Sequence, residues 1–328
     1  MKKTILTLVI AIAAVVIAQA QQISVVSPAG VTSIFTDLNL AIKSAEAGST
    51  LYLSGGGFQI NDATSINKRL SIIGVGHRID NDNADGSTTI NGRIAFFKGA
   101  DNSALMGVHL SGNVDIANAD GAVNTILVRF CNVEGIQVGH TNCQNILINQ
   151  NYIRNNSNIR NSAITFTNNI LHSIQNVNGG VIDHNVIRHN ILERFNIYSY
   201  YRALFSVSNS QIKNNVLVDP GHELHSGDNC TISNNMLTRS WGDNCVVVES
   251  WDDVFEGTYS GININDNYRL KGTQGKNAAI DGTDIGIYGG TGFSNTALPP
   301  IPRITLNRTD EQTDEQGKLT VRVRVSAQ

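Results

Sequence analysis

The chain is short of charge. Of its 328 residues only 16% are Asp, Glu, Lys or Arg, well below the roughly 25% usual in soluble domains. Its 24 basic residues do not exceed the 27 acidic ones, and its 8 His are scattered, so no basic surplus marks a nucleic-acid partner. Proline is scarce at 5, and Pro299, Pro300 and Pro302 account for three of these. No C-x-x-C occurs among the 4 Cys, which removes the common zinc and redox spacings. Asn is abundant instead, at 39 residues, with 30 Gly. Asn favours turns and local backbone bonding over helix interiors, which argues against a mainly helical protein. A hydrophobic share of 41% argues against a disordered one.

The N-terminus has the layout of an address. Met1-Lys2-Lys3 is basic, residues 4–17 are almost wholly apolar, and Ala18-Gln19-Ala20 follows. That is the order of a secretory signal with an A-x-A cleavage site, and the apolar run is shorter than the ~20 residues of a spanning helix. The expectation is a signal peptide at 1–20 and a mature chain from Gln21 that is secreted, periplasmic or at the cell surface. No transmembrane segment is expected after signal removal, since no later stretch holds 18 uncharged apolar residues. In an oxidising compartment, Cys131, Cys143, Cys230 and Cys245 have three ways to form two disulfides, with buried thiols as the alternative.

A repeat runs through the middle of the chain. It reads Ile148-Asn149-Gln150-Asn151-Tyr152-Ile153, then Phe166-Thr167-Asn168-Asn169-Ile170-Leu171, then Ile182-Asp183-His184-Asn185-Val186-Ile187. Ile212-Lys213-Asn214-Asn215-Val216-Leu217 and Ile232-Ser233-Asn234-Asn235-Met236-Leu237 follow, with a late copy at 264–270. Val128-Arg129-Phe130-Cys131-Asn132-Val133 carries Cys in the Asn slot. The Asn spacings are 18, 16, 30, 20 and 32, a period near 20 with two insertions. The apolar runs are of strand length, so each repeat is one coil of a solenoid. Asn suits the corner between two strands because it tolerates the left-handed conformation. Its amide can also bond its counterparts in adjacent coils, spaced about 4.8 Å apart. The expected structural ladder is Asn151, Asn169, Asn185, Asn215, Asn235 and Asn267. Val128, Ile148, Phe166, Ile182, Ile212, Ile232 and Ile264 are expected to stack inside.

Ahead of the repeat, residues 35–47 place Phe35, Leu38, Ala41, Ile42 and Ala45 at helical spacing, ended by Gly48. A helix here would cover the first edge of the solenoid. This helix, the stretches GSTLYLSGGGF and KRLSIIGVG, and the Asn-Asn-apolar repeats resemble the right-handed parallel β-helix, or pectin lyase-like, proteins of bacteria over residues 22–290. The resemblance implies an all-β fold: a right-handed single-stranded parallel β-helix with coils of about 20 residues and an N-terminal capping helix. The expected domain is 21–294. A Pro-containing linker and a C-terminal strand fill 295–328, where residues 318–325 (KLTVRVRV) alternate strictly and need a partner surface.

The family includes lyases, hydrolases, epimerases, tail-spikes and adhesins. Its glycoside hydrolases carry N-T-D, G-D-D-C and G-H-G in that order, supplying one acid and a water-activating carboxylate. Here Gly227-Asp228-Asn229-Cys230 and Gly242-Asp243-Asn244-Cys245 each have Asn for the second Asp. No N-T-D precedes them, and Gly221-His222-Glu223 lies on the wrong side of both. His222, Glu223, Asp228 and Asp243 are the catalytic candidates that remain. An insertion at 188–208 brings Arg194, Tyr198, Tyr201 and Arg202, and another at 239–260 brings Trp241, Trp251, Asp252 and Asp253. Aromatic and Arg side chains can platform a sugar, so these eight are the ligand-binding candidates. Glu249, Asp252, Asp253 and Glu256 could offer oxygen ligands to Ca²⁺, but their spacing matches no EF-type loop, so no metal or cofactor is expected. The function expected is a secreted or cell-surface, non-catalytic protein contacting polysaccharide or other surface components. A polysaccharide lyase or glycoside hydrolase is the alternative.

Overall fold

The computed structural model describes residues 21–62, 64–78, 86–178, 180–183, 186–188, 207–218, 229–257, 263–300, 303–309, 318 and 321–326. The chain is an all-β parallel solenoid of about seven turns with coils of about 20 residues. It has a single α-helix among the described residues. One face is an 11-stranded sheet; the other two faces belong to a 14-stranded sheet. Those two faces join where the long strands Tyr152–Ser162 and Ile170–Asn178 turn a corner, marked by a register shift between Ile153 and Asn156.

Parallel register stacks equivalent residues of successive coils. Leu51, Ile72, Leu105, Val128, Ile148, Phe166, Ile182, Ile212 and Ile232 are consecutive partners along the first face. Leu51, Ile72, Leu105, Val128, Ile148, Phe166 and Ile212 are fully buried, each contributing roughly 1.5–3 kcal/mol through burial. Ile232 is half-buried against the same core. Ile264 does not join the row. The last rung of the solenoid is Val246–Val247, paired with Met236 and Leu237, and Ile264 lies in a loop beyond it.

The N-terminal end is closed by strands as well as a helix. β1 (Ile23–Val26) pairs antiparallel with β2 (Thr32–Phe35), so Phe35 ends a strand and does not begin the helix. The helix α1 (Leu38–Ser44) starts after Asp37, whose carboxylate accepts from Asn39 N at 2.7 Å and Leu40 N at 3.0 Å. This N-cap makes the helix shorter than the periodicity of 35–47 predicts. At its other end Lys68 Nζ donates to the carbonyls of Lys43 and Ala45 at 2.9 and 2.6 Å, where a cation complements the helix dipole. β3 (Ser49–Leu53) pairs with β1 and opens the parallel stack, and β4 (Gly56–Gln59) opens the second face. The Asn39 amide bonds the end of β4, donating to Gln59 O at 3.2 Å and accepting from Asn61 N at 2.9 Å. A side chain thus supplies the pairing that a preceding coil would.

At the corner between the first and second faces, two neighbouring residues divide the work. Phe130, Gln150, Asn168, Asn214, Asn234 and Asn244 have φ of 55, 56, 53, 58, 52 and 51°, the left-handed turn. The residue after each occupies an inner slot. Asn151, Asn169, Asn215 and Asn235 are fully buried there. Asn169 Oδ1 accepts from Asn151 N at 2.9 Å and Nδ2 at 3.1 Å, while its own Nδ2 donates to Ile148 O at 2.8 Å. Asn235 repeats this toward Asn215 and Ile212 at 3.0, 3.1 and 2.9 Å. Asn185 lies outside the described residues. Asn267 stands apart from the row: it is exposed in a loop, with its amide on Glu256 at 3.3 Å.

Cysteine fills the same slot at either end of the row. Cys131 N donates to Asn151 Oδ1 at 2.9 Å, and the register of Met236 with Val246 sets Cys245 opposite Asn235. No disulfide joins the four cysteines. Burial pushes the Cys131 thiol up to about 12, which keeps it protonated and inert.

The chain then leaves the solenoid through a 3₁₀ turn at Trp251–Asp253 and comes back along its outside. Ala278 O accepts from Asn234 Nδ2 at 2.8 Å, and Ile280 N donates to Asn214 Oδ1 at 2.9 Å. Ile287 O and Gly289 O accept from Asn168 Nδ2 at 2.9 and 2.8 Å, and Ser294 N donates to Gln150 Oε1 at 2.8 Å. Pro299 closes the series over Gly107, where a Cβ would collide with its ring. Segment 275–300 is therefore a strap that descends the corner against the direction of coil growth. It packs on outward-facing apolar residues of the second face. Ile170, Val216 and Met236 form a second core with Trp251, Phe255, Tyr268, Leu270, Ile285 and Ile287. Gly286, at φ 92°, crosses so close that a Cβ would sit 2.9 Å from Val216.

The terminal strand finds its partner within the chain. Val321–Ser326 pairs antiparallel with Arg303–Thr309, with Val321 opposite Thr309 and Ser326 opposite Arg303.

Candidate functional site

Most of the residues expected to bind or catalyse fall where no side chain is described or where burial assigns them another task. Arg194, Tyr198, Tyr201, Arg202, His222, Glu223 and Asp228 lie outside the described residues. Trp251 is only 7% exposed and stacks on Phe255 with ring centroids 5.9 Å apart. Its ring is a wall of the second core and is not open as a sugar platform. Trp241 is half-buried against the inner core, so the two indoles serve different interiors. Asp252 and Asp253 are exposed on the 3₁₀ turn. Asp243 is exposed too, and its backbone makes a rung: N donates to Ile232 O at 2.9 Å and O accepts from Asn234 N at 2.8 Å. Among the described residues, no three His, Cys, Asp or Glu side chains converge as a metal site requires.

The structure assembles a different site where the strap, the loop at 263–270 and an early coil meet. Arg78 ties them together, donating to Asn295 O at 2.8 Å and to Asn265 Oδ1 at 2.9 Å. The resulting cleft has a volume of about 240 Å³ and is lined by Arg78, Ile264, Asn265, Asp266, Asn267, Arg269, Tyr288 and Asn295. A pocket of about 100 Å³ adjoins it through Arg269 and Tyr288, adding Glu256, Lys276 and Asp284.

Its groups are held in place by their neighbours. The Arg269 guanidinium lies over the Tyr288 ring at 4.6 Å, a cation–π contact, and the Tyr288 hydroxyl donates to Asn295 Oδ1 at 2.8 Å. Burial raises the Tyr288 pKa. Burial also raises that of Asp266, with the Tyr268 hydroxyl opposing the shift. Asp266 Oδ2 is enclosed and meets no donor among the described residues. The cleft therefore combines guanidinium and amide donors, amide and carboxylate acceptors and one ring, the polar lining that suits a polyhydroxylated ligand.

Two other places hold polar clusters. Arg154 donates to Asn132 Oδ1 at 2.7 Å, meets His109 Nε2 at 3.3 Å, and pairs with Glu134 at 3.3 Å, so its donors are engaged. His77, beside Arg78, is 7% exposed, and neither ring nitrogen finds a partner among the described residues. Burial, followed by the charges of Arg78, His109 and Arg154, brings its pKa down to about 3, which keeps the ring neutral. A cleft of about 450 Å³ beside α1 is larger, but Lys68 Nζ in its wall is bound to helix carbonyls.

Sequence reasoning missed Arg78, Asn265, Arg269, Tyr288 and Asn295. No local motif links them, since Arg78 and Asn295 are 217 positions apart. The strap that unites them did leave a signal. Ile170-Leu171, Val216-Leu217-Val218 and Met236-Leu237 are apolar at consecutive positions, which in a strand means burial on both faces. Comparison with known proteins returns no matching family model, no matching curated protein and no matching solved structure.

Proposed function

We propose that this is a secreted or cell-surface β-helix protein of bacterial, pectin lyase-like type that contacts glycans without cleaving them. The signal-like order of residues 1–20 supports the location. The observation that carries the glycan reading is the lining of the cleft, which gathers the polar side chains of Arg78, Arg269, Asn265, Asn267 and Asn295 about Tyr288. Titration calorimetry with neutral, uronic-acid and sulfated oligosaccharides tests it. Binding of one class, weakened about tenfold or more by Arg269→Ala, is the expected result; no binding by any class at millimolar concentration overturns it.

A second reading has one observation in its favour. Asp266 is a carboxyl of raised pKa that lines the cleft together with Arg269, and perturbed acids of this kind occur in active sites. Incubation with polysaccharides, followed by reducing ends and unsaturated-uronate absorbance, distinguishes a hydrolase or lyase from a binding protein.

A further inference from the structure

We infer that the cleft is a strap-gated site, in which ligand binding and docking of segment 275–300 are one coupled equilibrium. This rests on the cleft being the glycan site and adds how that site is regulated. Tyr288 and Asn295 of its lining belong to the strap, Asn265 to Arg269 belong to the preceding loop, and Arg78 belongs to a coil formed some two hundred residues earlier. The walls meet only when the strap is down. What holds it down lies largely elsewhere, in the corner row of Asn234, Asn214, Asn168 and Gln150 and the apolar strip beneath.

A ligand that touches both Arg78 and Tyr288 binds the docked state and not the undocked one. By linkage it must favour docking by the same factor that docking favours its binding. The apparent dissociation constant is the intrinsic one divided by the docked fraction. Weakening the corner row therefore lowers affinity without altering any residue of the cleft.

Asn168→Gly with Asn214→Gly is the variant that tests this. Glycine keeps the left-handed backbone at φ 53 and 58° and removes the side-chain bonds to Ile280, Ile287, Gly289 and Thr291. Gln150→Gly is a second, milder variant that removes only the bond from Ser294. Hydrogen exchange at Gly286 and Ser294, whose N–H groups bond the solenoid in the native chain, reads docking directly. Calorimetry with the three oligosaccharide classes reads binding.

The expected result is faster exchange at Gly286 in the double variant, an affinity at least tenfold weaker, and restored protection once the best-binding oligosaccharide is added. Fast exchange with unchanged affinity overturns the coupling and leaves the glycan reading in place. Unchanged exchange in both variants overturns the claim that the corner row holds the strap. Failure of all three classes to bind the native chain overturns the coupling together with the reading on which it rests.

Discussion

The inner row of Asn151, Asn169, Asn215 and Asn235 and the outer row of Gln150, Asn168, Asn214 and Asn234 are immediate neighbours in sequence, yet they hold different parts of the molecule. The inner amides reach backbone and side chains of the adjoining coils. Each outer amide sits in a left-handed turn and bonds the strap. The difference is one of backbone conformation. At the left-handed residue the chain turns, so its side chain leaves the interior, and the extended residue that follows points back in. An Asn-Asn pair at a solenoid corner thus serves two independent attachments, coil to coil and coil to strap.

Breaking the inner row carries the largest expected effect. Asn169→Ala leaves the buried Asn151 N without its acceptor and removes one bond each from Asn151 Nδ2, which keeps Val128 O, and from Ile148 O, so it should lower unfolding free energy by about 3 kcal/mol or more, measured by urea denaturation. Acid comes next and acts outside both rows, because none of their Asn and Gln side chains titrates. His77 is neutral in the fold, with its pKa brought down to about 3, and unfolding returns it to about 6.5. The stability this carries is fully present above pH 6.5 and is lost as pH falls toward 3, amounting to about 2 kcal/mol at pH 5. Thermal melts of the native chain and His77→Gln from pH 7 to 5 should show a steeper decline for the native chain.

Smaller effects sharpen the contrast. Asn168→Gly should cost about 1–2 kcal/mol, because two of its four lost bonds are to the Thr167 and Thr291 hydroxyls, which can turn to solvent. Asn168→Ala should cost about 1 kcal/mol more, from the left-handed backbone; equal losses in urea melts would show that this backbone is not under constraint. Asn267→Ala should change stability by less than about 0.5 kcal/mol, because that residue is exposed and outside the row; a loss as large as that of Asn169→Ala would return it to the ladder.

How much of this was legible follows from how local each signal is. The solenoid was readable because a parallel stack needs the same residue type at the same place in every coil, and Val128, Ile148, Phe166, Ile182, Ile212 and Ile232 supply it within a recurring hexapeptide. The copy at 264–270 misled because it matches the hexapeptide in composition while having no coil beneath it to pair with. The helix shortened because Asp37 caps it, a local choice that overrides the apolar period reaching back to Phe35. The candidate cleft was not legible at all. Arg78, Arg269, Tyr288 and Asn295 meet through the path of the strap, and nothing near any one of them in sequence specifies the others. Trp251 is a ligand-binding candidate by sequence because it stands beside Asp252 and Asp253 in an insertion, but a strap over the second face needs a large apolar residue beneath it, and the indole fills that role.

Native-state hydrogen exchange across a denaturant series tests the division between the rows most directly. Asn151 N and Asn215 N bond the inner row, and Gly286 N and Ser294 N tie the strap to the solenoid. The account predicts that the strap amides open with a lower free energy and a weaker denaturant dependence than the inner pair, which exchange only through global unfolding. Merging of all four onto one isotherm at low denaturant would contradict it, because the inner and outer attachments would then be a single unit.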